Sequence, residues 1–488
     1  MCAARWLLAL VLASPLAHAQ PPAPLPPLTP AQLSAIDAFV SAELARQRIP
    51  GLELGIYSRG HILLAKGYGQ ANVELAVPVK PETLFQSGSV GKQFVSAAVL
   101  MLVEEGKLSL SDSLAQYFSG APDSWKPIKI GNLLSHTSGL AEYESDDRTG
   151  PAGPFYLRLD YTEDELAKKF QALPIEAAPG EKWAYRNTNY VLLGIIIHKL
   201  TGQFYGDFLA QRIFRPLGMA STRIISEADI IPNRSSGYEL HDGVLKNQTW
   251  VSPTFDSTAD GALYFNVLDI ARWDAALYTT QLLKQSSLDR IWTVYPLNNG
   301  KPNPEGYGFA WFIGQQNKHR RIEHSGSWQG YTCHIARYPD DSLSVAVLTN
   351  LDSGHSDPGL IAHVVAGLVQ SALLPAKLAA IADNDPAIAA RVAHVLDQTV
   401  AGEDLRPQAA AQLASYLTPE AMGYARQRFT ALWPGGTLTL VQREPSEGSQ
   451  PISTFRLAKG NEAVLITFGL DAAGKIATLR LAPNREYQ

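Results

Sequence analysis

The stretch Phe85–Phe94 reads FQSGSVGKQF, and the apolar run VSAAVLMLVEEG follows it from Val95. Ser89 and Lys92 stand three residues apart in a turn loosened by Gly88 and Gly91. If the helix announced by the apolar run starts at Ser89, positions i and i+3 share a face and the amine reaches the hydroxyl. The helix N-terminus adds unpaired N–H groups and the positive end of the dipole, a field in which a serine alkoxide forms more readily. The same residues also fit a helix that merely begins with small side chains, because Ser-x-x-Lys is common by chance. The rest of the chain decides between the two.

A second piece is WAYRNTNYVLLGIIIHKLTG, from Trp183. Tyr185 and Asn187 lie two apart in a loop before an apolar helix, so both side chains can enter one cleft. A phenol titrates at about 10, and a neighbouring ammonium favours its anion, which makes Tyr185 a candidate base. The amide of Asn187 can hold a substrate carbonyl. A third piece is IEHSGSWQGYTCHIARYPDD, from Ile322. Gly326 lets a ligand approach the backbone. The N–H of Ser327, paired with that of Ser89, would make a two-donor oxyanion hole worth roughly 3 kcal/mol per donor.

Around these pieces the chain reads as α+β. GLELGIYSRGHILLAKGYGQAN is two strands with a turn at Arg59-Gly60, and IARYPDDSLSVAVLTN is a hairpin turning at Pro339–Asp341. LIAHVVAGLVQSALL closes the region as an apolar helix. Strands from both ends with helices between them give one sheet covered by helices. Beyond Pro375 an Ala-rich helical stretch broken at Asp385-Pro386 precedes four alternating segments, TLTLVQR, ISTFRLA, AVLITFGL and KIATLRLA. The expected division is a signal peptide over 1–19, a Pro-rich tether over 20–32, a main domain over 33–375 and a small α+β domain over 376–488. The sequence names no partner for the last.

Taken together, SVGK, YRN and HSG resemble, in order and spacing, the serine β-lactamase and penicillin-binding protein superfamily. The likeness is strongest to its class C β-lactamase and D-alanyl-D-alanine carboxypeptidase branch. Supporting stretches are IGNLLSHTSGL (Ile130–Leu140), YGDFLAQRIFRPLGMASTR (Tyr205–Arg223) and DGALYFNVLDIARW (Asp260–Trp273). The resemblance covers roughly Leu33 to Leu374. It implies a β-lactamase/transpeptidase-like fold, an antiparallel sheet flanked by helices with an all-helical subdomain. It also implies an acyl-enzyme on Ser89, with Lys92 and Tyr185 sharing the proton. Asn187 would bind the substrate amide, and His324 would polarise Tyr185 or meet a substrate carboxylate. His324 departs from the lysine usual in class C β-lactamases and puts efficient β-lactam hydrolysis in doubt. The activities it allows are a carboxypeptidase or D-amino-acid amidase, a carboxylesterase, and a true β-lactamase. From another class, the chain would bind cell-wall fragments with little turnover. The substrate is then a small molecule or a piece of peptidoglycan.

Other signals set limits. The N-terminus MCAARWLLALVLASPLAHAQPP has the charged, apolar and small-residue regions of a secretory signal, cut after Ala19, and implies a secreted or periplasmic protein. Its apolar run is short of the roughly 20 residues a stable membrane span needs. Removal of Cys2 with that segment leaves Cys333 alone, in an apolar strand, as a core thiol. A net charge of −5 without a Lys/Arg cluster excludes nucleic acid as a partner. No histidine pair has the spacing of a short metal motif and no glycine loop resembles a nucleotide cradle, so neither metal nor cofactor is expected. Residue 87 is Ser, so Ser89 does not sit in Gly-x-Ser-x-Gly, which argues against an α/β-hydrolase. His136 reads as structural, Trp328 as a wall of an acyl pocket or a packing residue, and Ala141–Tyr161 as a loop that roofs the cleft.

Overall fold

A computed structural model describes residues 23–241, 243–444, 451–460, 462–483 and 485–487. The expected signal peptide and the start of the expected tether lie outside the described residues. The central sheet has seven antiparallel strands in the order Val77–Pro78, His61–Asn72, Gly51–Ser58, Leu343–Thr349, Tyr331–Tyr338, His319–Trp328 and Phe312–Gln316. Both ends of the main region therefore meet at its centre, where Gly55 pairs with Ala346. The first hairpin turns at Arg59 and Gly60, with φ of 46° and 87°. Two positive φ values in a two-residue loop match the twist of the flanking strands.

The three central strands are buried along their whole length, so a helical layer is needed on each face. On one face Leu52, Leu54 and Ile56 pack with Ile36 and Val40 of helix Pro30–Gln47 and with Ile361 and Val365 of helix Pro358–Val369. Thr29 and Gln32 form a capping box at the first of these, with Pro30 leading the helix. The tether is not a free spacer. Leu25 donates its N–H to Ser58 Oγ at 2.8 Å, and Leu25 and Leu28 pack on this core, because leucines between the prolines have apolar surface to bury.

On the other face lies the larger core, built on helices Lys92–Glu104 and Asn187–Thr201. Every residue from Lys92 to Leu102 is buried, as a helix apolar all round requires. Lys92 is the exception in kind, a charged group carried into that core.

Residues from Pro386 onward have a core of their own. Helix Pro386–Ala401 lays Val392, Val395 and Leu396 against Phe455, Ile466 and Phe468 of a four-stranded meander running from Thr437 to Pro483. The Ala-rich stretch before Pro386 is not helical, contrary to the sequence reading. Its backbone pairs instead, Ile381 N–H with Leu440 C=O at 3.0 Å and Leu378 N–H with Glu486 C=O at 2.8 Å. The helix begins only where Pro386 occupies its first turn. No described helix is long and apolar enough to cross a membrane.

Candidate active site

The turn that carries Ser89 is a single 3₁₀ turn, Gly88–Gly91, and the α-helix begins at Lys92. Three backbones cross there. A Cβ on Gly326 would lie 2.0 Å from Ser87 O and 2.9 Å from Ser89 N, and one on Gly88 would lie 2.3 Å from Ser327 N. Only hydrogen at these positions lets strand His319–Trp328 run against Ser89. The sequence-predicted residues Ser89, Lys92, Asn187, Gly326 and Ser327 are thus brought together.

Lys92 Nζ lies 2.8 Å from Ser89 Oγ and 2.7 Å from Asn187 Oδ1, and also donates to the carbonyl of Asp260. Three oxygens surround the amine nitrogen, so its position is fixed. It also stands 5.0 Å from the ring centroid of Tyr185. The Tyr185 hydroxyl is buried and makes no well-formed hydrogen bond among the described residues. Burial raises its pKa above 10, and the opposing pull of Lys92 and Ser89 is the smaller effect. The lysine was expected to favour the phenolate; instead, desolvation keeps Tyr185 a neutral phenol.

His324 is buried. Its Nδ1 is 2.6 Å from Ser325 O, so Nδ1 carries the proton, and its Nε2 accepts from the Tyr307 hydroxyl at 3.0 Å. Burial first, and then the charge of Lys92, push its pKa down to about 3. The ring lies 6.2 Å from that of Tyr185. With both nitrogens engaged inside the protein and no charge, His324 presents nothing to a substrate carboxylate in this arrangement.

Asn187 does more than the sequence implied. Its Nδ2 donates to Glu144 Oε2 at 2.7 Å and its backbone N–H to Glu142 Oε2 at 2.7 Å. The amide therefore bridges Lys92 to Glu144. Tyr143 O–H lies 2.9 Å from Glu144 Oε1 and 2.8 Å from Asp260 Oδ2. Burial first, then the neighbouring Asp260 and Glu142 carboxylates, raise the Glu144 pKa to about 8. The loop 141–161 is thus a wall of the cleft rather than a roof. Glu142, Glu144 and Asp260 were missed, although two glutamates flanking a tyrosine in a loop already placed at the cleft were a usable signal.

His136 stacks on Tyr185, with ring centroids 4.2 Å apart, and its Nδ1 accepts from Arg186 N–H at 3.2 Å. It holds the Tyr-x-Asn loop in place. Cys333 is buried, and its thiol donates to Ser87 O beside the Ser89 turn; burial pushes its pKa up. Trp328 is half-buried, with Nε1 3.3 Å from Asp256 Oδ1. The cleft spans about 280 Å³ with the open solvent at its mouth included, and Ser89, Glu144, Asn187, Phe255, Ser327 and Trp328 line it.

The family model described as Beta-lactamase matches residues 36–370. The chain belongs to the Beta-lactamase family. Among the family's curated members it is 30% identical over 312 residues to Penicillin-binding protein 4* of Bacillus subtilis (strain 168), covering 60% of this chain and 66% of that protein. It is 26% identical over 344 residues to Protein flp of Staphylococcus aureus (strain MRSA252), covering 67% of this chain and 65% of that one. The chain thus spans slightly under two thirds of the length of these relatives. The octameric penicillin-binding protein homologue from Pyrococcus abyssi superposes with a TM-score of 0.62 at 23% identity, covering 93% of this chain and 99% of that one. A D-stereospecific amidohydrolase from Streptomyces sp. superposes at 0.58 and 22%, covering 68% and 97%. Both carry the β-lactamase/transpeptidase-like fold found here.

Proposed function

We propose that this chain is an exported serine hydrolase that cleaves an amide or ester bond through an acyl-enzyme on Ser89. The observation that carries the reading is the 2.8 Å approach of Lys92 Nζ to Ser89 Oγ at the edge of an open cleft. With Lys92 Nζ as the neutral amine, Ser89 Oγ attacks the carbonyl carbon and its proton passes to that amine. The N–H groups of Ser89 and Ser327 receive the oxyanion. The neutral phenol of Tyr185 donates to the leaving amine or alkoxide as the tetrahedral intermediate collapses, and Lys92 restores that proton. Water then attacks the acyl-enzyme along the reverse proton path. Export rests on the N-terminal signal pattern, and residues 376–488 are taken as a second domain because they have their own core.

Within this chemistry the cleft favours substrates without a carboxylate. Its wall carries Glu144, while His324 is neutral and occupied, so it offers a substrate carboxylate no cation. A D-amino-acid amide or an ester suits it better than a β-lactam or a carboxypeptidase substrate. The test is intact-protein mass spectrometry of wild type and Ser89→Ala after separate incubation with a fluorophosphonate and a penicillin. A fluorophosphonate adduct on wild type alone, with little penicilloyl adduct, is expected. Labelling of neither protein, or of both equally, overturns the nucleophile assignment; a stable penicilloyl adduct on wild type overturns the substrate preference.

A further inference from the structure

Side chains alternate along strand His319–Trp328, so while His324 and Gly326 face the cleft, Glu323 and Ser325 face the opposite side of the sheet. There Glu323 meets two histidines from separate elements. His334 comes from the adjacent strand Tyr331–Tyr338, where it pairs with Ser325. His363 comes from helix Pro358–Val369, which packs over this face. Glu323 Oε2 lies 3.1 Å from His334 Nε2 and 2.6 Å from His363 Nε2. The ligand atoms of the three residues all fall within 4.8 Å of one another, and the imidazole rings stand perpendicular, 5.2 Å apart.

A tetrahedral ion with nitrogen and oxygen ligands at about 2.0–2.1 Å separates those ligands by roughly 3.3 Å. Glu323 Oε2 and His334 Nε2, 3.1 Å apart, are already near that spacing, while His363, 2.6 Å from the same oxygen, and the imidazole pair, within 4.8 Å, reach it by side-chain shifts of up to about 1.5 Å. The outer contacts suit the same arrangement. His334 Nδ1 is 2.8 Å from Ser325 Oγ, and that bond aims Nε2 inward. Arg321 holds Glu323 Oε1 at 2.7 Å and leaves Oε2 for the imidazoles. His334, Glu323 and His363 keep 5%, 13% and 18% of their side-chain surface exposed, enough for an ion to enter. His334 and His363 line a polar gap of about 1650 Å³, open solvent included, whose far wall includes Gln442, Thr454 and Thr467 of the C-terminal sheet.

We propose that Glu323, His334 and His363 bind one divalent transition-metal ion of the Zn²⁺ type, on the reverse side of the strand that carries Gly326 and Ser327. Two imidazoles and one carboxylate suit Zn²⁺ better than Mg²⁺ or Ca²⁺, which prefer all-oxygen shells. Three protein ligands leave a fourth position toward the gap. The ion pins two strands and a helix together, and so stiffens the element that abuts Ser89. The inference is independent of the proposed hydrolysis.

The test uses the full chain stripped by a chelator and titrated with Co²⁺, read by visible absorption, then with Zn²⁺ in competition. One Co²⁺ per chain with the intense bands of a tetrahedral site, displaced by one Zn²⁺, is expected. His363→Gln and Glu323→Gln should each lose that signal. Failure of wild type to take up one equivalent, or uptake unchanged in both variants, overturns the proposal and leaves a carboxylate–imidazole hydrogen-bond cluster. Should a variant fail to fold, X-ray absorption at the zinc edge of the loaded wild type decides. A shell of two imidazoles with oxygen supports the site, and a shell without imidazole overturns it.

Discussion

Tyr143 has one phenol proton and two carboxyl groups within reach of it, and that shortage governs Glu144. If the phenol donates to Asp260, a proton on Glu144 completes the chain from Glu144 to Tyr143 to Asp260, in keeping with a pKa raised to about 8. The folded value lies above the ordinary 4.5, so the sign follows from linkage. Below about 4.5 the group is protonated in both states and costs nothing. As pH rises, the unfolded chain ionises freely while the folded chain resists. Stability therefore falls across this window and the loss is complete above about 8. Glu144→Gln keeps the shape and removes the titration. Urea denaturation of both proteins from pH 4.5 to 8.5 should show wild type losing more stability than the variant over that interval; parallel curves would count against the assignment.

At the scale of elements, the close crossing of strand His319–Trp328 over the Ser89 turn is a demanding contact. Gly326→Ala places a methyl group 2.0 Å from Ser87 O, so strand and turn must part. A displacement of this kind costs about 100-fold in rate, and overpacking costs about 1–3 kcal/mol of stability. Fluorophosphonate labelling rates and denaturation midpoints measure the two effects separately. The crossing was legible in part. Ser89 and Lys92 were readable because their spacing is local, and both hairpins because alternation and turn residues mark them. The meeting of Glu144 with Asn187, of Tyr307 with His324 and of Glu323 with His334 and His363 was not. Those pairs are created by sheet register and loop return, which leave no short spacing in the chain. The sequence also assigned helix to the residues before Pro386, because alanine propensity is a weak preference that backbone pairing with Leu440 and Glu486 outweighs.

For the whole molecule, the joint between the sheet and the helical half is ionic at one point. Arg337 on strand Tyr331–Tyr338 donates Nε–H to Asp274 Oδ1 at 2.7 Å, and Ser344 donates to the same oxygen at 2.7 Å. Arg337 and Asp274 expose 1% and 2% of their side chains. Asp274→Ala strands a guanidinium in the core and should cost about 3–5 kcal/mol, read as a lower denaturation midpoint. A loss under about 1 kcal/mol would place this joint with ordinary surface pairs. The crossing at Ser89 also has a consequence in time. Ser87 accepts from the thiol of Cys333, 246 positions further along the chain, and Ser327, the proposed oxyanion donor, arrives almost as late. Contacts of such long range form slowly. A growing or unfolded chain therefore carries Ser89 and Lys92 as ordinary side chains, and under the proposed acyl-enzyme role their reactivity waits for the distant strand to dock.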